Sequence, residues 1–254
     1  MAISEQARKN HYELFPSHTS TLGMTDPELI EVFDNFAFDE VLQHGNLEPR
    51  TRLMVLLASM IASQALREYR IMLGAALIVG VTPVEVKEIV YQAVPYVGMA
   101  KVYDFLHATN EVLTERGIKL PLTGHSTTTP ETRAENGLTV QKKIAGEEGL
   151  QKMLEAAPED QQHIHHFLAA NCFGDYVSRS GVDLATRELL TFSMLISLGG
   201  CDPQAKGHVS GNLRVGNSRA MLIDVVTQLL PFIGYPRTLN ALRAIDEAAP
   251  YKAG

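Results

Sequence analysis

The chain has 254 residues, of which 45% are hydrophobic and 20% are charged, and its net charge is −7. This composition is typical of a globular protein with its own core, and the length allows one large domain or two of ordinary size. The negative charge and the lack of a Lys/Arg-rich run argue against a nucleic-acid-binding protein. No secretory signal and no stretch of ~20 apolar residues is present, and two cysteines do not make a disulfide scaffold. We therefore expect a cytoplasmic protein that does not bind a membrane.

The first half of the chain is predicted to be helical after a short N-terminal arm. Residues 1–24 are polar and irregular in pattern, so they are assigned to that arm. A capping side chain followed by a proline marks a helix start at Thr25-Asp26-Pro27. Thr82-Pro83-Val84-Glu85 has the spacing of a capping box. The predicted helices cover residues 27–44, 49–63, 66–79, 83–94 and 99–116.

The second half follows a predicted linker over 118–132, whose Thr, Ser, Pro and Gly residues have no apolar period. Asp183 can cap one helix, Asp202-Pro203 begins another, and Asn217 or Ser218 can cap a third. Residues 172–183 are predicted to form a loop. The predicted helices cover residues 133–145, 147–156, 158–171, 184–198, 203–215, 219–230 and 237–248. Because no segment shows the alternation of a half-buried strand, the chain is predicted to be all-α.

Two parts of the chain repeat the same pattern. Residues 92–98 read Q-A-V-P-Y-V-G and residues 228–234 read Q-L-L-P-F-I-G, which is an offset of 136 residues. Thr51-Arg52 recurs as Thr186-Arg187 with an offset of 135, so one residue is inserted between these points. A shared register over this length predicts two packed copies of one helical unit. The first copy is assigned to 25–117 and the second to 133–254.

The two copies differ at three positions that can carry chemistry. Glu188 lies in an otherwise apolar helix, where a carboxylate is costly unless it is paired. Cys201 begins the next helix, where the positive end of the helix dipole favours a thiolate. His208 lies seven residues later on roughly the same helix face. The first copy has Leu53, Leu66 or Arg67, and Met72 at these positions.

Each of these three residues alone also has an ordinary structural interpretation, as a solvent-facing carboxylate, a buried thiol or a structural imidazole. Together on consecutive helices, they predict a proton relay in which the carboxylate orients the imidazole. Because the first copy lacks all three, a shared structural role does not explain them.

Three further residues are candidates for binding a substrate. Asn212 lies four residues after His208 and can hold a substrate or orient the imidazole ring. Arg179 and Arg237 can bind a carboxylate, although solvated surface is the simpler interpretation of both. The histidine-rich tract at 163–166 does not supply the three or four ligands of a zinc site, so no metal site is predicted. No phosphate loop or dinucleotide motif is present either, and no cofactor is expected.

The second copy, T-R-E-L-L-T-F-S-M-L-I-S-L-G-G-C-D-P-Q-A-K-G-H-V-S-G-N followed by Q-L-L-P-F-I-G, resembles the carboxymuconolactone decarboxylase family. The alkylhydroperoxidase D type proteins belong to the same superfamily. The resemblance covers 27–117 and 160–248, and it implies an all-helical alkylhydroperoxidase D-like fold that assembles into rings of six units. A tandem chain is then expected to form a homotrimer. The family's acid, thiol and imidazole positions correspond to Glu188, Cys201 and His208.

Three functions are compatible with these residues and this resemblance. The first is a cofactor-free acid/base enzyme that acts on a small carboxylated or lactone substrate. The second is a one-cysteine thiol peroxidase, because the C-x-x-C pair of the hydroperoxidase branch has Gln204 at its second position here. In that case an external thiol or Cys172 would resolve an oxidised Cys201. The third is a non-catalytic oligomeric partner protein in which the trio is a relic.

Overall fold

The computed structural model describes residues 2–16 and 20–251, and all regular secondary structure among them is helical. This confirms the predicted all-α class. In the first half the helices are α1 (Glu5–Leu14), α2 (Leu22–Thr25), α3 (Pro27–Phe38), α4 (Pro49–Ala62), α5 (Leu66–Ile78), α6 (Pro83–Val97) and α7 (Met99–Glu115). In the second half they are α8 (Arg133–Ala145), α9 (Glu147–Glu155), α10 (Gln162–Phe167), α11 (Leu184–Leu198), α12 (Asp202–Arg214), α13 (Arg219–Ile233) and α14 (Tyr235–Ala248). None of the described helices combines the length and the apolar character that a membrane crossing requires.

The two copies share one arrangement of four helices, in which α4 to α7 correspond in order to α11 to α14. Helices α4 and α11 are buried along most of their length and pack against each other at the centre of the molecule. The buried hydroxyls of Ser59 and Ser197, one from each helix, lie 2.7 Å apart. A single apolar core therefore runs through both copies.

Most helix starts follow the local signals of the sequence. Thr82 and Glu85 form the capping box at the start of α6, and Asp183 accepts a hydrogen bond from the Thr186 amide at the start of α11. Ser218, rather than Asn217, caps α13. At α12 the N-cap position is taken by Cys201, and Asp202 is the first helical residue.

The N-terminal segment differs from the prediction of an irregular arm over 1–24. It contains α1 and α2, and the burial of Ala7 and Leu14 attaches α1 to the main core. The helix predicted over 27–44 ends at Phe38 and is followed by a 3₁₀ turn at Glu40–Gln43. Asp39 interrupts it because its carboxylate accepts hydrogen bonds from Ser4 and Gln43. The sequence pattern contains no sign of this tertiary contact.

The loop predicted over 172–183 is also wrong over its first half. A 3₁₀ turn at Glu159–Gln161 and α10 lead into a π-helix at Leu168–Val177. This π-helix packs closely on α8, because Gly174 and Gly137 bring the two backbones together. A Cβ on Gly174 would lie 2.2 Å from the Arg133 carbonyl oxygen, and one on Gly137 would lie 1.9 Å from that of Ala169.

The structure also shows where the extra residue of the second copy falls. Cys201 is the N-cap of α12, and the N-cap of the corresponding helix α5 is Ala65. The counterpart of Cys201 is therefore Ala65, and not Leu66 or Arg67 as the sequence comparison suggested. The residues just before these two N-caps, Gln64 and Gly200, both have positive φ, at 59° and 71°. The offset is therefore already 136 at the thiol position, and the insertion lies within the α4 and α11 helices.

Candidate active site

An acid–imidazole pair lies at the buried centre of the second copy. Glu188 is on α11 and His208 is on α12, and His208 Nδ1 lies 2.8 Å from Glu188 Oε2. The Glu188 side chain retains only 1% of its surface exposed, whereas that of His208 retains 18%. The imidazole is therefore the group of this pair that a molecule outside the core can reach. The other carboxylate oxygen, Oε1, is buried and has no hydrogen-bond partner among the described residues.

Asn212 holds the two helices of this pair together. Its amide group donates to the backbone oxygens of Glu188, at 3.1 Å, and of His208, at 2.7 Å. Its own oxygen accepts a hydrogen bond from Asn217. Asn212 is completely buried, so it fixes the backbone beneath the pair and offers no exposed group to a substrate. The expectation of a direct substrate contact by Asn212 does not fit this position.

A glycine on α12 gives the carboxylate its space. A Cβ built on Gly211 would lie 2.7 Å from Glu188 Oε2 and 2.8 Å from Ile144 Cγ2, closer than real Cβ atoms approach. Any larger residue would displace the oxygen that contacts His208. Gly211 is therefore a positioning residue of the pair.

The first copy contributes Tyr96 to the same site, which the sequence did not predict. The Tyr96 ring contacts the imidazole of His208 edge-on, with 6.0 Å between ring centroids. Its hydroxyl is buried near Thr191, Cys172 and Glu188, but its contacts with Thr191 and Cys172 do not reach full hydrogen-bond geometry, and no other described residue bonds to it. Burial raises the pKa of Tyr96 well above its ordinary value, and the neighbouring Cys172 and Glu188 add to this rise. The phenol is therefore neutral at the pH of a cell.

Cys172 lies on the other side of Tyr96, on the π-helix. It is 7% exposed, and burial raises the pKa of its thiol to about 12. A thiol of this kind stays protonated and reacts poorly. Cys172 belongs to a small apolar cluster beside Tyr96, whereas Cys201 packs at the edge of the main core.

Cys201 does not join the acid–imidazole pair through any hydrogen bond among the described residues. Its Sγ lies 3.6 Å from the Gly199 carbonyl oxygen, and the thiol lines a separate cavity of about 20 Å³ together with Arg237. Along α12 the helical rise of 1.5 Å per residue puts His208 about 10 Å from Cys201. The structure thus brings Glu188 and His208 into contact and places the Cys201 thiol in a separate cavity, and the relay through all three residues stays a prediction.

Arg179 has an internal partner. Its guanidinium donates three hydrogen bonds of 2.9–3.0 Å to the carboxylate of Glu88, which also pairs with the buried Arg187. Arg187 in turn donates to Gln92 Oε1, so this network ties α6 of the first copy to α11 of the second. Arg179 therefore does bind a carboxylate, but one that belongs to the protein.

This arrangement can hold and move one proton. With the Nδ1 proton directed at Glu188, the lone pair of Nε2 is left for a substrate, and the carboxylate stabilises the imidazolium that forms when Nε2 is protonated. Over the described part of the chain, no three His, Cys, Asp or Glu side chains are grouped as a metal ion would require.

The fold and the site define a tandem all-helical protein in which one of two copies carries an acid–imidazole pair. The model of the carboxymuconolactone decarboxylase family matches residues 27–111 and 162–247, one match in each copy. The chain therefore belongs to the carboxymuconolactone decarboxylase family. It is similar to the 4-carboxymuconolactone decarboxylase of Acinetobacter baylyi, with 26% identity over 117 residues that cover 46% of this chain and 87% of that protein.

Proposed function

We propose that the second copy is a cofactor-free acid/base site for a small carboxylated lactone or a related carboxylated substrate. The observation that carries this proposal is the 2.8 Å contact between Glu188 Oε2 and His208 Nδ1 beneath a partly exposed imidazole. The name of the similar Acinetobacter protein supports the substrate class, because that protein is a decarboxylase of a carboxylated lactone.

In the proposed reaction, His208 supplies the proton that replaces carbon dioxide. The bond between the substrate carbon and its carboxylate breaks, carbon dioxide leaves, and the electron pair remains in the conjugated substrate. The imidazolium form of His208 donates its Nε2 proton to that carbon and afterwards regains a proton from water. Glu188 stabilises the imidazolium throughout, and proton transfer by a positioned side chain contributes about 10²–10⁴ in rate.

Arg237 is the proposed contact for the carboxylate of the substrate, at the cavity that Cys201 lines. It lines the cavity of Cys201, and a Cβ built on the neighbouring Gly199 would lie 3.2 Å from its Nε. A guanidinium can pair with a planar carboxylate through two parallel hydrogen bonds. If Arg237 has this role, Arg237→Gln raises KM with a smaller change in kcat. An unchanged KM would remove Arg237 from the site.

The decisive experiment compares two variants on 4-carboxymuconolactone as substrate. His208→Gln is expected to lose about 10²–10⁴ in kcat, whereas Cys201→Ser keeps most of the activity. Full activity in His208→Gln would overturn the acid/base proposal. Circular dichroism of both variants controls for folding.

A thiol peroxidase is the second candidate function, and one observation favours it. Cys201 is partly exposed at the N-cap of α12 and shares its cavity with the guanidinium of Arg237. In this reaction the thiolate attacks a peroxide, the O–O bond breaks and a sulfenic acid forms. An external thiol fits as the reductant better than Cys172, which is buried in a different cluster. Mass spectrometry of peroxide-treated protein without added oxygen on Cys201 would exclude this function.

We also propose that the chain assembles as a homotrimer in the cytoplasm. Two copies in one chain supply two of six ring positions, and both cysteines are free thiols, as a reducing compartment allows. Light scattering should give three times the chain mass of 27.9 kDa. A monomer mass would contradict the trimer.

A further inference from the structure

A cavity of about 490 Å³ lies beside the connection between α4 and α5 of the first copy. Four residues of α4 and its connection to α5 are among those that line it, and four of the nine residues that line the 20 Å³ cavity of Cys201 lie 136 positions later. The corresponding pairs are Ser59 and Leu195, Met60 and Ile196, Ser63 and Gly199, and Ala65 and Cys201. The two cavities therefore share part of their lining by register, and they differ in the residues that complete it.

Different helices complete the lining of the two cavities. Arg237 and Asn240 of α14 line the cavity of Cys201. In the first copy, the described lining residues come from α1 to α5 and α13, and Phe33 of α3 stacks edge-on against Phe232 of α13 at 5.8 Å. Helices α1 to α3, which have no counterpart among the four repeated helices, thus supply part of the walls of the larger cavity.

The walls of this cavity are mostly apolar, and its depth reaches the core. Met60 and Met72, which are 2% and 6% exposed, are among the residues that line it, and Phe33 and Phe232 line its sides. Its volume lies within the range of about 300–1,000 Å³ that is common for small-molecule pockets. A cavity that reaches such buried side chains suits a small molecule better than the surface of a second copy.

The charged groups on the walls are acidic. The carboxylates of Asp34 and Glu68 line the cavity, accompanied by the imidazole of His11. Partial burial raises the pKa of Asp34, and the nearby His11 counteracts part of that rise. Glu68 is exposed and Asp34 is partly buried, so an anion in the cavity would be repelled more strongly by Asp34 than by the solvent-screened Glu68. The lining therefore selects against negatively charged ligands, including the carboxylated substrate of the second copy.

We propose that this cavity is a binding site for an apolar small molecule that carries no negative charge. The site is separate from the acid–imidazole pair and does not depend on the reaction proposed for it. Because Phe232 belongs to the second copy and Met72 to the first, a ligand here contacts both halves of the chain.

The test uses the full chain and two fluorescent probes of similar size. N-phenyl-1-naphthylamine is neutral, and 1-anilinonaphthalene-8-sulfonate is an anion. The neutral probe is expected to bind to one site per chain, with a Kd at least about tenfold below that of the anion. Binding of neither probe, or tighter binding of the anion, would overturn the proposal.

Two variants locate the binding. Ala65→Trp places an indole in the cavity and is expected to weaken the neutral probe at least about tenfold. Ala157→Trp, at a half-buried alanine outside the cavity, is its control and should bind as the unmodified chain does. The double variant Asp34→Asn, Glu68→Gln leaves the space open and should bring the affinity for the anion close to that for the neutral probe, which holds even if Ala65→Trp does not fold. Unchanged binding of both probes to Ala65→Trp and to the Asp34→Asn, Glu68→Gln double variant would place the probe elsewhere and contradict the proposal. A change of oligomer mass in either of these two variants would show that the cavity lies at an interface between copies, which would also contradict it.

Discussion

The second copy has a carboxylate against an imidazole at its centre, and the same positions of the first copy hold a leucine and a methionine. The differences extend to the neighbours of the pair. Gly211, which makes room for the carboxylate, corresponds to Ala75, and Asn212, which ties the two helices, corresponds to Ala76. Tyr96, which contacts His208, corresponds to Phe232, which lines the cavity of the first copy. Each copy therefore receives one aromatic ring from the other.

These substitutions show that a buried polar cluster is kept or lost as a unit. A carboxylate that loses its imidazole, or an asparagine that loses its carbonyl partners, leaves unpaired polar groups in the core, which costs about 1–3 kcal/mol for each group. Replacing all members by apolar residues avoids this cost. The helical scaffold survives unchanged, while one copy keeps a site for proton transfer and the other gains a cavity.

The largest effect is expected from Glu188→Gln. The amide has almost the same shape but cannot stabilise an imidazolium, so kcat should fall by about 10²–10⁴. The free energy of unfolding should change little, because the buried negative charge is removed together with its desolvation cost. Steady-state kinetics and urea denaturation measure the two quantities, with Glu247→Gln at the surface as control. A large loss of stability without loss of kcat would reduce Glu188 to a structural residue.

A smaller effect is expected from exchanging the glycine and alanine that distinguish the copies. Gly211→Ala forces its Cβ into Glu188 Oε2, so we expect at least about a tenfold loss of activity and a net destabilisation of ~1 kcal/mol. The mirror variant Ala75→Gly in the first copy should cost ~1 kcal/mol through helix propensity alone and leave the activity intact. Equal activities of the two variants would show that space beside Glu188 is not critical.

The buried thiol should make stability depend on alkaline pH. Burial raises the pKa of Cys172 from 9.0 to about 12, so the unfolded chain loses this proton at a lower pH than the folded chain. The resulting stability is present below pH 9 and is lost as the pH rises toward 12. Cys172→Ser should flatten the fall in unfolding free energy over this range, whereas Cys201→Ser should not. Identical slopes in both variants would contradict the burial of Cys172.

The smallest effect is expected from Tyr96→Phe, which makes this position match Phe232. The hydroxyl of Tyr96 is buried and has no well-formed hydrogen bond within the part of the chain that the structure describes, so its removal should raise the free energy of unfolding by ~1 kcal/mol. The reverse variant, Phe232→Tyr, should bring no stabilisation. Chemical denaturation of both variants measures this, and a destabilised Tyr96→Phe would mean that the hydroxyl donates to Cys172, Thr191 or Glu188.

Local signals in the sequence were enough for the class, the repeat and most helix boundaries. Thr82 and Asp183 act through backbone groups three residues away, so their caps are visible without a tertiary structure. The π-helix at Leu168–Val177 was missed because it depends on the close approach to α8 at Gly137 and Gly174. The end of α3 was not predicted because Asp39 accepts a hydrogen bond from Ser4, which is far away in sequence.

The candidate site was predicted in part for the same reason. Comparing the copies by register identifies Glu188 and His208, and the structure brings them into contact. The same comparison distinguishes Tyr96, because the second copy has Phe232 at the corresponding position and lacks the hydroxyl. The separation of Cys201 is already implied by the spacing, because positions seven residues apart share a helix face yet lie two turns apart.

The most direct test of the division between the copies is to remove the imidazole and its counterpart in parallel. His208→Gln and Met72→Gln place the same side chain at corresponding positions of the second and first copies. Turnover of the carboxylated lactone, expressed per folded chain, should fall by about 10²–10⁴ in His208→Gln and stay near that of the unmodified chain in Met72→Gln. Equal turnover in the two variants would contradict the assignment of the chemistry to the second copy.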